Sequence, residues 1–184
     1  MQEEFGNGPV TSVNNGNTAT EAKVSVTGIP IEPPPASDNG FMINRSYYNL
    51  DGSEADLADI QQNDRFVVVL SMIPTQLGSG QYLVVDPLPA GFEIENPDLS
   101  QAGGVSELSW VSVTMPSHVE SRTDQYVAAF RYLSPLESFA TAYMVRATSP
   151  GSFTLPGATV EDMYRPEFRG NTDAGQIEVK TTGP

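Results

Sequence analysis

The side chains of this sequence that carry chemistry are few and scattered. His118 is the only histidine, so a Ser-His-Asp triad would have to use it. Its neighbours Pro116, Ser117 and Val119 make a loop-to-strand junction without a nucleophile elbow. One histidine and no cysteine leave a zinc site without its usual nitrogen and sulfur ligands. Asp51, Asp56, Asp59 and Asp64 cluster, but their spacing misses the alternate ligand positions around a glycine turn that an EF-hand needs. They read as a solvated acidic turn. Glu93 and Glu95 share one strand face, and a glycosidase pair must instead converge across a cleft. Trp110 offers a ring for a sugar, yet its alternating neighbourhood reads as a core position. Asn44-Arg45-Ser46 fits a glycosylation sequon and falls inside a strand pattern, where it reads as coincidence. No catalytic residue, metal site or cofactor is expected.

Met163-Tyr164 is more informative. The pair follows the strand residues Thr159 and Val160 and precedes Arg165-Pro166, which turns the chain out of regular pairing. Two readings stand on the residues alone. Tyr164 plugs the end of its own domain, or Met163 and Tyr164 project at a neighbouring domain.

The elements that must position this pair centre on residues 66–97. Phe66 to Ile73 is a short, β-branched, nearly continuous apolar run, which predicts a strand buried on both faces. Pro74 to Gly80 supplies turn residues, and Gln81 to Val85 a second strand able to return beside the first. Asp86-Pro87-Leu88-Pro89 cannot remain inside a ladder, because each proline lacks an N–H. Phe92-Glu93-Ile94-Glu95 alternates like a strand with one wet face. Further strands are expected at 40–50, at 108–113 with Leu108 and Trp110 on one face, at 126–133, 139–147, 152–155, 158–161 and 177–180. Ser53 to Ile60 reads as one helical turn or a loop. The pattern predicts an all-β antiparallel β-sandwich of seven or more strands, with at most one short helix.

Residues 1–20, with Gly6-Asn7-Gly8-Pro9 and Asn14-Asn15-Gly16-Asn17, are expected to form a flexible arm. Residues 21–37 hold a weak strand, Ala22 to Ile29, and a stiff linker around Pro33-Pro34-Pro35. Residues 38–184 form the sandwich domain, long enough at about 140 residues to bury a sizeable core. A net charge of −14, from 23 acidic and 9 basic residues, repels phosphates and anionic lipid, which argues against nucleic-acid and membrane-surface partners. No apolar run approaches the roughly 20 residues of a membrane helix, and Met1-Gln2-Glu3-Glu4 does not begin a signal peptide.

Several blocks, in order, carry a resemblance. They are Asp51-Gly52, Gln62-Asn63-Asp64-Arg65-Phe66-Val67-Val68-Val69-Leu70, Leu83 to Leu99, His118 to Phe130, Tyr143 to Gly151, and Val160-Glu161-Asp162-Met163-Tyr164-Arg165-Pro166. Spanning roughly residues 40 to 180, the chain resembles the C-terminal macroglobulin-like domain of bacterial alpha-2-macroglobulins, the large protease inhibitors related to complement proteins. The resemblance implies a non-catalytic interaction domain, monomeric in isolation. It also implies a periplasmic parent chain with a distant export signal and an N-terminal anchor in the inner membrane. Ala22 to Ile29 would then be the last strand of the preceding domain, which the thioester domain interrupts. In that family a Met-Tyr pair at this position packs over a buried thioester, so Met163 and Tyr164 would be the latch, with Arg165 and Phe168 flanking them at the interdomain contact. A thioester survives in water only under a close apolar cover. Cleavage of a bait region then shifts the domains, lifts the cover and lets the thioester acylate a protease amine. The implied partners are the thioester domain, target proteases and a peptidoglycan synthase often encoded alongside. Some members lack the thioester, and there the pair only stabilises a domain contact. A carbohydrate- or cell-wall-binding sandwich is the alternative, motivated by fold class and exposed acidic and aromatic residues.

Overall fold

The computed structural model describes residues 13–21, 33–75, 80–95, 109–131 and 136–181. The chain divides into two units, Met1–Ile31 and Glu32–Pro184. In the first, Asn14 caps a local bend, accepting from Gly16 N at 2.8 Å and donating to Thr18 O at 2.8 Å. The strand expected at 22–29 and most of the expected arm lie outside the described residues.

The second unit is built of strands without a helix among the described residues. One sheet has six strands in the order β1 (Ser37–Asn39), β12 (Arg165–Asn171), β11 (Thr159–Asp162), β5 (Gln81–Pro87), β8 (Gln125–Arg131) and β7 (His118–Ser121), all antiparallel. Facing it is a four-stranded antiparallel sheet of β2 (Phe41–Tyr48), β4 (Arg65–Pro74), β9 (Phe139–Ala147) and β6 (Phe92–Glu95). A small third sheet joins β10 (Gly151–Leu155), β13 (Gly175–Lys180) and β3 (Ile60–Gln61), with β13 and β3 parallel.

Alternation along the strands builds the core. Phe41 and Tyr47 of β2, Phe66, Val68, Leu70 and Met72 of β4, and Phe139, Tyr143 and Val145 of β9 face inward. They meet Tyr82 and Val84 of β5, Tyr126, Ala128 and Phe130 of β8, and Val160 of β11. Aromatic rings cross between the sheets: Tyr82 lies edge-on to Phe41 at 4.9 Å and Phe130 lies 5.0 Å from Phe139. Tyr126 stacks on Tyr143 at 4.2 Å. Each such pair adds about 0.5–1.5 kcal/mol beyond its area burial.

One inward position of β2 is an arginine. Arg45 Nη1 donates to Asp86 Oδ1 of β5 at 2.6 Å, with side chains only 5% and 1% exposed, so an ion pair bridges the two sheets inside the core. The Tyr143 hydroxyl donates to Asp86 Oδ2 at 2.7 Å, and Arg45 lies 5.9 Å over the Tyr47 ring. Burial pushes the Asp86 carboxyl up, against the pull of Arg45 and Tyr143. No buried side-chain polar atom among the described residues lacks a hydrogen-bond partner.

Four expectations need correction. β4 and β5 are not partners: they belong to different sheets, and β5 pairs with β8 and β11 instead. Only the first half of β4 is buried on both faces; Ser71 and Ile73 are exposed. The ladder continues through Asp86 and ends at Pro87, where the missing N–H falls on the last rung. Residues 109–113 form no strand. Trp110 donates from Nε1 to Leu50 O at 3.2 Å and tilts against Tyr48 at 5.3 Å, while Thr114 N bonds Ala140 O at 2.8 Å. The segment therefore crosses the outer face of the four-stranded sheet as an irregular strap. Of the helix-or-loop alternatives at 53–60, turns and a single bridge from Tyr48 to Glu54 are found.

Replacing Arg45 by Met strands a buried carboxylate and is expected to cost about 3–5 kcal/mol in urea unfolding, most of it recovered in the double variant Arg45→Met/Asp86→Leu. At the β6 edge Glu95 accepts from Arg65 Nε at 2.8 Å and Arg146 Nε at 2.9 Å. Burial alone would raise this carboxyl; the arginine bonds outweigh it and hold it below the usual carboxylate range. A depressed folded pKa gives stability that is present above the unfolded value, about 4.3, and lost as pH falls through the folded one. The stability deficit of Glu95→Gln is therefore expected to be largest at pH 7 and to shrink at pH 3, as chemical unfolding at both pH values would record.

Candidate functional site

Met163 and Tyr164 are the two tip residues of the hairpin that joins β11 to β12, closed by the Asp162↔Arg165 pair. Tyr164 is 74% exposed and Met163 49%. Their backbone is held from below. Asp162 is 1% exposed, and its Oδ1 accepts from Tyr164 N at 2.9 Å and Arg165 N at 3.1 Å. Its Oδ2 accepts from Arg165 Nε at 3.0 Å and Nη2 at 2.6 Å. An aspartate bonding its own backbone two residues on is a local turn former. Met163 N donates to Gln81 O at 2.8 Å, which ties the tip to the start of β5. Gly80 gives the carboxylate its room, since a Cβ there would lie 2.6 Å from Asp162 Oδ2.

The flanking residues complete the corner. The Arg165 guanidinium sits 5.1 Å over the Phe168 ring, and Phe168 packs partly buried against the core. As expected, regular pairing breaks at Pro166, but only locally. After Asp162↔Arg165 the ladder resumes at Glu161↔Arg169, so Pro166, Glu167 and Phe168 form a bulge. Proline's missing N–H costs nothing in a bulge. The result is a rigid platform that presents a polarisable thioether and a large ring with a hydroxyl to whatever lies beyond the domain. Its one buried carboxylate, Asp162, has both oxygens occupied by donors of the turn.

The other candidates are dispersed. His118 is exposed on β7, across from Ala129. Asp51 is bonded by Ser53, Asp56 by Ala58 N at 2.9 Å, Asp59 by Lys180 at 2.7 Å, and Asp64 by Gln61 N at 2.8 Å. No group of three or more His, Cys, Asp or Glu suited to a metal ion occurs among the described residues. Glu95 is engaged by two arginines while Glu93 is exposed. Trp110 spends its ring and N–H inside the domain. Asn44 is exposed but donates to Ser46 Oγ at 2.9 Å. Asp162 is the site residue that sequence reasoning missed, although an aspartate two positions before Tyr164 is an available signal.

A family model for the bacterial alpha-2-macroglobulin MG10 domain matches residues 40–167. The chain is 32% identical to alpha-2-macroglobulin of Xylella fastidiosa over 95% of its own length and 11% of that relative. It therefore spans about a tenth of the curated relatives it matches. Native alpha-2-macroglobulin from Escherichia coli, solved from domain MG7 to the C-terminus, superposes with a TM-score of 0.70 at 30% identity, covering 83% of this chain and 25% of that one. The trypsin-activated form of the Escherichia coli protein gives the same TM-score and identity, covering 83% of this chain and 11% of that one. The all-β sandwich is thus the macroglobulin-like fold, and the chain belongs to the bacterial alpha-2-macroglobulin MG10 domain family.

Proposed function

We propose that this chain is the C-terminal interaction domain of a periplasmic, broad-spectrum protease inhibitor of the alpha-2-macroglobulin type, without turnover of its own. Its task is to dock on the thioester domain of the parent protein and to shield the thioester with Met163 and Tyr164 until the bait region is cut. The observation that carries this reading is the protruding Tyr164 ring on a backbone clamped by a buried carboxylate, in a chain of the MG10 family. A cover over a reactive bond must be apolar, close-fitting and able to leave as a unit. A capped hairpin tip meets those demands: the side chains reach outward while the turn beneath keeps its shape. Arg165 and Phe168 brace the tip from the side. The relative solved after activation by trypsin supports a role in a protein that meets proteases as a whole molecule. Trp110, with its ring and N–H engaged internally, gives a carbohydrate-binding reading no free platform.

In the full-length parent, Tyr164→Gly is expected to raise spontaneous methylamine incorporation roughly tenfold or more, which corresponds to about 1.4 kcal/mol of lost shielding. Unchanged amine reactivity in a parent that carries an upstream Cys-x-x-Gln segment would remove the latch role. Asp162→Ala removes the acceptor of four N–H donors and should lower the stability of this domain by about 1–3 kcal/mol in urea unfolding. The same variant should raise amine reactivity in the direction of Tyr164→Gly.

A further inference from the structure

The segment that leads into the sandwich is fastened to the strand that carries the Met163–Tyr164 tip. Asn171 Nδ2 donates to Pro35 O at 2.8 Å, Ala36 N donates to Asp173 Oδ1 at 2.6 Å, and Ser37 Oγ bonds Asn171 Oδ1. β1 then pairs with β12 through Ser37↔Asn171, Asp38↔Gly170 and Asn39↔Arg169. All three β1 residues are exposed, so this strand buries no side chain. A groove of about 590 Å³ beside the segment is lined by Pro33, Pro34, Pro35, Thr159, Arg169 and Asn171. Polar bonds rather than packing therefore hold the segment down, and such an attachment opens at low cost. A hinge follows at once: Gly40 has φ +102° and donates to Asp38 O at 2.8 Å, and from Phe41 onward the chain belongs to the opposite sheet.

Contacts run without a gap from this segment to the tip. Asn39 Nδ2 donates to Glu167 O at 2.6 Å. Gly40 lies so close to Phe168 that a Cβ on it would sit 2.9 Å from Phe168 Cβ. Phe168 supports Arg165, Arg165 is bound to Asp162, and Asp162 holds Tyr164 N. We propose that residues 33–39 are a detachable strap: docked on β12 they hold the Tyr164 corner in shape, and tension arriving through Pro33 peels them off and loosens it. The two arrangements, β12 flanked or β12 at the sheet edge, form the bistable element that such coupling requires. The use of the strap in release rests on the latch reading; the coupling itself does not, so the two fail separately.

The test is amide hydrogen exchange on this chain, which has no cysteine of its own. Ser37→Cys/Asn171→Cys places a single disulfide where two side chains already meet. Oxidation is expected to slow exchange at the Tyr164 and Arg165 amides relative to the reduced form. Ser37→Pro/Asp38→Pro removes two of the three main-chain donors of β1 and is expected to speed exchange at the same two amides roughly tenfold, with residues 66–70 of β4 unchanged. Equal exchange at Tyr164 and Arg165 in the oxidised and reduced forms overturns the proposal, whatever the proline variant does to the core.

Discussion

The Arg45–Asp86 ion pair is the interaction on which the two large sheets depend. A carboxylate and a guanidinium inside a packed core are tolerable only if each finds the other and the remaining lone pairs are filled. Arg45 comes from one sheet, Asp86 from the other, and Tyr143 closes the network from the same side as Arg45. A slip of either strand by one residue would turn one of these charges outward and leave the other alone. The pair therefore fixes which residues of β2 and β5 face each other, in a core whose other contacts are aromatic and more forgiving. Phe41, Tyr82, Phe130 and Phe139 fill the space toward one end, and Tyr126 and Tyr143 stack beside the charges.

The same physics recurs at the rim with a different outcome. Asp162 is as buried as Asp86, but its arginine lies at the surface with 39% of its side chain exposed. One carboxylate thus locks an interior, while the other shapes a corner that faces outward. The corner thus divides into a fully satisfied anchor below and two exposed side chains above.

Much of this architecture is legible in the sequence because period-two alternation is a strong signal. Phe41, Ile43, Arg45 and Tyr47 fall on one face, and that pattern places a charge where a partner is obligatory. The partner is not legible, since Asp86 lies 41 residues away beside a proline that reads as a strand breaker. Adjacency in sequence misleads at β4 and β5, which look like a hairpin and belong to opposite sheets. Trp110 sits in an alternating run yet its backbone joins no ladder, because strand formation needs a neighbour with free backbone groups and periodicity cannot supply one. At the site, the position of Met163 and Tyr164 beyond a strand end is visible from Arg165 and Pro166. The continuation of β12 is not, because a bulge absorbs the proline.

The pairing of β1 with β12 also bears on how the domain comes into being. Ser37 and Asn171 are 134 residues apart, and β3 likewise waits for β13 near the other end of the chain. At a translation speed of about 5–20 residues per second, β1 spends roughly 7–27 s without its partner. During that interval its exposed, polar residues and neighbouring prolines give it little tendency to aggregate.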